Sequence, residues 1–553
     1  MATTETKATQ SPSLFRPWVP KWLGGLMYFF IFFPALFLSG AYGSNAADMM
    51  SGLGIISEHI MMATFAAAIG LVVAGPYLLT VLQAYSPRFI YLAGLPVMVV
   101  LNIICGYTES MLLLILCSFL MGIVRVFVMI NSLFGILSII AGANPLDMLG
   151  TDPNMSPEEI AKKNRGRGVM QAASYLVFLS IGQLGSYLTA KMAYEYRWQY
   201  AYWYVAAFVL IALLLVLVLM QPLPSRLNVE KKPVPPVGKA LTAALFFGAF
   251  CYVLVYGKTY DWFSDWRISL AGGLMLVAAG TFILQHTRNR RRLIDPHVFT
   301  APSVVTAMVF FTLVMVLNSS SSLLTAFMGM SMKLDSVQTV AIGNWQFLGF
   351  VLAFIVNVTL LVKGRHSRWF IAGGFACITL SSIVLYFQYQ TMATYESLIL
   401  PTVLRSMGMW MVYAYCGSYG MNHIDVGRQL GSWVFVMLMF RAVVGPVAGS
   451  ALYSNAVYHR SQQHFERYAQ ELDSAYPMAS ASFQRTQMGT MMQGKSYEEA
   501  SQMAAMNSRG GIQQQVMLVT LKEMTGWTIY GGVACIVLAL VFPYNGIRRK
   551  GME

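Results

Sequence analysis

Three arginines stand in stretches that otherwise read as lipid-facing: Arg125 in LILCSFLMGIVRVFVMINSLF (114–134), Arg405 in LRSMGMWM (404–411) and Arg441 in FRAVVGPVAGS (440–450). An arginine at the centre of a lone membrane helix costs at least ~2.5–3.5 kcal/mol. The charge is tolerable where its helix face looks into a water-accessible cavity. There it can bind an anionic group, or repel and be screened as protons move. The bland alternative is a structural donor to helix-end carbonyls. Arg125 lies deepest, and Arg405 and Arg441 lie nearer span ends. Acids that could pair with them stand only at span edges: Asp48, Glu58, Glu109, Asp335, Glu396 and Glu523. A helix-end carboxylate in a partly dry site has a raised pKa, which makes Asp48 and Glu58 the proton-carrier candidates. Asn131, Gln183, Asn318, Asn344, Gln346 and Tyr413 add polar groups at mid-span depth. Such groups must face protein or water. A cavity mixing amides with aromatic rings suits amphipathic organic molecules, whereas close helix packing is the competing use.

The elements that would position these residues are membrane helices. Of the 553 residues 57% are hydrophobic and 11% charged, against about 25% charged in ordinary soluble domains. The apolar residues come in runs of about 20, the length that crosses a hydrocarbon core as a helix. The expected fold class is an all-α polytopic membrane protein. Fourteen spans are predicted near 21–42, 60–83, 88–107, 111–141, 168–190, 198–220, 239–257, 268–286, 303–327, 337–362, 369–389, 397–421, 430–456 and 526–544. The N-terminal MATTETKATQSPSLFRPWVPKW is polar and shows no cleavable signal peptide. Loop charge sets the orientation. With the N-terminus inside, 23 of the 37 Lys and Arg fall on the cytoplasmic side. Both termini are therefore expected in the cytoplasm, and the net charge of +14 reflects topology and not nucleic-acid binding.

Enzyme motifs are matched poorly. GTMMQGKS (Gly489 to Ser496) fits the P-loop pattern, but the preceding SFQRTQM is polar and strand-poor, whereas a P-loop needs a buried strand before it. Ser496 and Glu499 instead form S-x-x-E, a capping box for the helix SYEEASQMAAM. HExxH, GxSxG and paired intramembrane carboxylates are absent from the sequence. The six cysteines lie in or at the ends of predicted spans without metal-like spacing and read as packing residues. No cofactor and no metal is expected. His459, His464 and the methionines of the same outside segment read as surface and amphipathic positions.

Several stretches, taken in order, resemble the 14-span drug/proton antiporter branch of the major facilitator superfamily, of the EmrB and QacA type. NRGRGVMQAASYLVFLSIGQLGSYL (164–188) is similar to the family's cytoplasmic RGR loop entering the fifth span, with its glycine-rich antiporter motif at Gly182 and Gly185. RWQYAYWYVAAF (197–208) resembles the start of the sixth span. YGKTYDWFSDW (256–266) and RLIDPHVF (292–299) resemble the joint of two extra central spans. LRSMGMWM, with Gly408, resembles the family's LRGxGxG. FRAVVGPVAGSALYSNAVYHRSQQH (440–464), with Gly445, resembles the span that continues into an outside helix. Gly122 matches a fourth-span glycine.

The resemblance implies two six-helix bundles, 1–220 and 303–553, with a linker and two inserted helices over 221–302. It implies a substrate site near the midplane where the bundles meet. It also implies proton-driven export of amphipathic small molecules across a bacterial inner membrane. The 457–525 segment would lie outside, where a membrane-fusion adaptor docks and leads to an outer-membrane channel. The chain departs from the pattern in three places. The fourth-span arginine stands at 125 and not at the position aligned with Ser118, two helical turns away on nearly the same face. No acid lies between Lys21 and Asp48, where the family carries a coupling Asp. Gln83 falls where the gating motif has an Asp. These departures favour, as an alternative, a dedicated exporter of one lipid-like or siderophore-like metabolite. A third possibility is a membrane scaffold or sensor that does not transport. If Arg125 faces the transport path, Arg125→Met abolishes transport and leaves membrane insertion intact, which uptake into proteoliposomes and a membrane-fraction blot together check.

Overall fold

The computed structural model describes residues 14–37, 40–141, 157–222, 236–288, 293–362, 367–421, 424, 426–471 and 477–544. The linker 223–235 and the basic run 289–292 lie outside the described residues. Helices run over each of the fourteen predicted segments, and a fifteenth, Pro477–Met492, lies between the last two of them. They are α1 (Lys21–Phe37), α2 (Ser57–Ala84), α3 (Pro87–Tyr107), α4 (Met111–Ala141), α5 (Pro157–Glu195), α6 (Trp198–Leu219), α7 (Val237–Tyr256), α8 (Trp266–Arg288), α9 (Pro302–Met330), α10 (Ser336–Leu360), α11 (Ser367–Gln388), α12 (Ile399–Tyr419), α13 (Gln429–Gln470), α14 (Pro477–Met492) and α15 (Tyr497–Val541). The chain is a multi-pass membrane protein. Eleven of these helices are long and apolar enough to cross a membrane among the described residues. Of the remaining predicted spans, α1 has 17 residues, and α5 and α12 carry more polar sequence.

Two boundaries differ from the sequence reading. The helix of α5 begins at Pro157 and takes in the stretch read as the RGR loop. Proline with Glu158 and Glu159 behind it suits a first helical turn, where a missing N–H and negative charge are both favourable. The helix of the last predicted span, α15, begins at Tyr497 and not near 526, and α14 packs against it. At the start of α15 the Ser496 Oγ accepts a hydrogen bond from the Glu499 backbone N–H at 3.3 Å, the cap expected there.

The interior divides into apolar clusters. One is built by α1, α3, α4 and α6 around Tyr28, Tyr91, Met98 and Tyr202. A larger one runs from α2 and α5 through α7 into α9, α11, α12 and α13, and so crosses between the first six helices and the later ones. Helix α7 packs on α2 and α13, whereas α8 packs mainly on α7 and turns most of its surface outward. The closest crossing joins α2 to α4. A Cβ on Gly122 would strike the carbonyl of Ala67, and a Cβ on Gly70 would strike the carbonyl of Phe119. Small residues that let backbones touch are the usual membrane solution, because lipid offers no hydrophobic drive between helices.

The end of α6 is tied to the N-terminal segment. The Arg16 N–H donates to the Leu219 carbonyl and the Gln221 N–H to the Leu14 carbonyl, at 3.0 and 3.1 Å. The α13–α15 projection marks one face of the molecule, the hairpin face, opposite the one that carries residues 14 and 221. Gly122→Leu should lower thermal stability in detergent by an overpacking cost of about 1–3 kcal/mol. Gly280→Leu, at a glycine open to its surroundings, should not. Equal melting of the two variants would contradict the α2–α4 contact.

Candidate functional site

The central feature is a cavity of about 190 Å³ between α2, α4 and α5 on one side and α13 on the other. Its walls are apolar, among them Leu71, Met129, Phe178, Trp433 and Met437, and Arg441 enters them. Drug-sized sites occupy roughly 300–1,000 Å³, so the space accommodates part of such a molecule in this conformation. A larger cavity of about 350 Å³ lies between α7, α8 and the segment before α9, with His286 among apolar side chains. It sits against the outward-turned helix α8, away from the meeting of the two helix groups, and the smaller cavity is the better candidate for that reason.

Arg441 lies mid-helix in α13, not near an end, in a π-helical turn over Met439–Val444. The turn is closed by Gly445, whose N–H donates to the Phe440 carbonyl. Pro446 follows, and a proline cannot supply the next helical N–H. Single π turns recur at functional sites. The guanidinium lies 4.9 Å from the centre of the Tyr413 ring on α12 and 5.5 Å from that of Tyr175 on α5. Its Nη1 donates to the Tyr175 hydroxyl at 3.5 Å. The Tyr413 hydroxyl points to the Met315 sulfur at 3.4 Å and that of Tyr175 to the Met437 sulfur at 3.8 Å. Both phenolic hydrogens are thus directed at thioethers, which leaves the oxygen lone pairs for the arginine.

The other predicted residues are dispersed. Arg125 is half-buried and donates to the Leu36 carbonyl at the end of α1; it is not among the cavity walls. Arg405 is buried in α12 and donates to the Ser320 hydroxyl at the irregular turn of α9, with Tyr389 and Tyr453 nearby. Asn131 reaches the Pro87 carbonyl at 3.4 Å, a long contact at the start of α3. Asn318 is half-buried at the same turn of α9, Asn344 is exposed, and Gln346 accepts from Ser406 through its backbone carbonyl. Of the predicted amides and tyrosine, Tyr413 alone joins Arg441. The glycines mark close helix approaches: Gly122 on Ala67, Gly185 on the Phe37 ring, Gly408 on the Gly374 carbonyl, Gly445 on Met315, and Gly182 more loosely on Leu36 at 3.6 Å.

Sequence reasoning missed Tyr175. Its spacing from the RGR stretch gave no sign that it faces α12 and α13. It also missed the contacts that close the hairpin face. There Gln183 Nε2 donates to the Val340 carbonyl at 3.3 Å, joining α5 to α10. Asp48, in the short helix Ala46–Leu53 between α1 and α2, hydrogen-bonds with Ser336 at the start of α10. Glu58 pairs with Lys258 at 3.8 Å, beside the 2.6 Å contact of His59 Nδ1 with the Tyr256 hydroxyl. His464, read as a surface residue, reaches Glu523 at 2.8 Å, and Arg460 reaches the same carboxylate at 3.4 Å. Among the described residues no group of three or more His, Cys, Asp or Glu could hold a metal ion.

No family model matches the sequence, and no curated protein matches it either. Among solved structures, the nucleoside transporter NupG matches with a TM-score of 0.50 at 10% identity, over 94% of this chain and 99% of that one. A POT family transporter in complex with a thioalcohol-conjugated peptide matches with a TM-score of 0.48 at 15% identity, over 78% and 92%. Tetrameric PepTSo2 matches with a TM-score of 0.49 at 13% identity, over 94% and 98%. The first of these likenesses shows the fold: the helices are arranged as in that nucleoside transporter.

Burial raises the pKa of Asp48 above the ordinary carboxylate value, and its hydrogen bonds to Ser336 and to its own backbone oppose the shift. The closed hairpin face therefore binds the Asp48 proton more tightly than an open one in which the carboxyl meets water. Closure should strengthen as the pH at that face falls through the raised value and level off below ~4, the ordinary range. In a cysteine-free background, the labelling of Asn45→Cys (buried) relative to Gly43→Cys (exposed) by an impermeant maleimide should fall over that range. Asp48→Asn should hold the ratio low at every pH; a ratio that ignores both pH and the substitution rules the assignment out.

Proposed function

We propose that this protein is a proton-motive secondary transporter that exports amphipathic small molecules across a bacterial inner membrane. The observation that carries the reading is the apolar cavity between the two groups of helices. A caged arginine stands in its wall, and the same interface is shut on the hairpin face by Gln183 and Asp48. A site at a repeat interface that is closed on one side is what alternating access requires. In this reading the chain belongs to the 14-span EmrB and QacA branch. Residues 1–220 and 303–553 rock against each other, and 221–302 supplies the linker and the two inserted helices α7 and α8. Both termini lie in the cytoplasm, because the excess of Lys and Arg faces inward. The α13–α15 projection is periplasmic and serves a membrane-fusion adaptor, which continues to an outer-membrane channel. Exposed Met488, Met491, Met492, Tyr497 and Met506 at its tip support a docking role.

One observation favours a second reading, the dedicated exporter of a single lipid-like or siderophore-like metabolite. The first span has no acid, so the coupling residue common in polyspecific pumps of the branch is missing. Asp48, in the short helix between α1 and α2 at the hairpin-face contact, takes the proton role in either case.

The test uses purified protein in liposomes that hold an acidic interior and a pH dye. Amphipathic anions, cations and neutral compounds are added outside, with empty liposomes as the control. Proton efflux coupled to uptake of several unrelated compounds is the expected result. Coupling to one compound class supports the dedicated exporter. Inserted, folded protein that moves neither protons nor compounds, with or without an adaptor, refutes transport.

A further inference from the structure

We propose that the cavity selects amphipathic anions, namely carboxylates, sulfonates or phosphate monoesters on an apolar body, and rejects lipophilic cations. The proposal rests on the transport reading for the cavity's purpose and adds its substrate class.

The argument is one of charge balance. Among the described residues that line the cavity, Arg441 is the one formally charged side chain and none is a carboxylate. The groups that cage the guanidinium are phenols, which solvate a cation through ring face and oxygen but carry no formal negative charge. The sulfurs of Met315 and Met437 accept the phenolic hydrogens and add no negative charge. The described lining of the cavity thus holds the positive charge of Arg441 and no formal negative charge. An incoming anion supplies the Arg441 guanidinium with a partner of opposite charge, whereas an incoming cation is repelled by it. A guanidinium also presents a planar fork that matches carboxylate, sulfonate and phosphate oxygens in pairs. The tail has its own place, because Leu71, Leu78, Val126, Met129, Leu133 and Phe134 form an unbroken apolar wall from α2 and α4. Polar recognition at one end and an apolar wall along the other describe a site for a soap-like or aryl-acid molecule.

The experiment uses full-length protein in nanodiscs of zwitterionic phosphatidylcholine, with empty nanodiscs subtracted. Two fluorescent probes share one aromatic body: 1-anilinonaphthalene-8-sulfonate is an anion, and N-phenyl-1-naphthylamine is neutral. The unaltered protein should bind the anion at least ~10-fold more tightly, the ratio a single well-placed charge contact supplies. Arg441→Gln should bring the two affinities together, and Arg441→Lys should retain part of the difference because it keeps the charge without the fork. A competition in the unaltered protein needs no variant to fold: dodecanoate should displace the anionic probe, and dodecyltrimethylammonium should not. Equal binding of the two probes, displacement by the cation, or a preference that survives Arg441→Gln would overturn anion selection and leave the cavity reading standing. If neither probe binds to monodisperse protein, the cavity reading falls and this proposal with it.

Discussion

A cation can stay in the middle of a membrane helix only where something other than lipid solvates it, and the packing around Arg441 meets that demand. The cost of such a charge is ~2.5–3.5 kcal/mol or more, and a desolvated cation–π contact returns about 2 kcal/mol. Two tyrosine rings at 4.9 and 5.5 Å bring the terms to the same size. The rings come from different helices, Tyr175 from α5 and Tyr413 from α12, while the arginine is on α13. The solvation of one charge therefore fixes the spacing of three helices that have no hydrophobic reason to stay together in lipid. The π turn beneath Arg441 belongs to the same arrangement, since Gly445 and Pro446 allow the backbone to widen where Met315 of α9 presses in.

This dependence bears on any motion between the two groups of helices. Tyr175 belongs to the first six helices, and Tyr413 and Arg441 to the later ones. A rocking motion between the groups would pull one ring from the guanidinium and leave the other, so the charge would need a replacement partner during the motion. The hairpin-face contacts are of a weaker kind: a side-chain amide on a carbonyl and a carboxyl against a serine. Contacts of that type separate without exposing an unpaired charge in hydrocarbon, because water can enter from the adjoining face. Arg405 plays a different part. Its donation to Ser320 holds the irregular turn of α9 within the later helices and crosses no moving boundary.

The residues announced the fold far more clearly than the site. Apolar runs of membrane length and the bias of lysine and arginine in loops are one-dimensional signals, and helices run over every segment they marked. Side-chain partners across helices are not one-dimensional. Arg125 looked the strongest candidate because it is central in its own span, yet depth in a span says nothing of the helix that lies opposite, and its partner is the Leu36 carbonyl. Arg441 looked peripheral because the polar residues after 456 drew the eye to the end of that helix; α13 in fact continues through them to Gln470. Tyr175 carried no signal, since one tyrosine among 29 is ordinary and only the fold brings it to α13. Asp48 was legible as a lone acid at a span edge, but Ser336, which it meets, lies almost 300 residues further along the chain.

The helix α15 runs unbroken for 45 residues. At 1.5 Å per residue that is about 68 Å, against ~40–45 Å for a bilayer with its headgroups. Some 25 Å of rigid rod must then stand clear of the membrane, braced by α14 and by the end of α13. Small membrane proteins of 61.3 kDa usually vanish into the detergent belt when imaged as single particles, because nothing outside it breaks the rotational ambiguity. This molecule carries its own fiducial mark. Particle images can be aligned on the projecting rod without an added antibody fragment, and its tilt relative to the belt reports the pose of the helices that continue into the membrane.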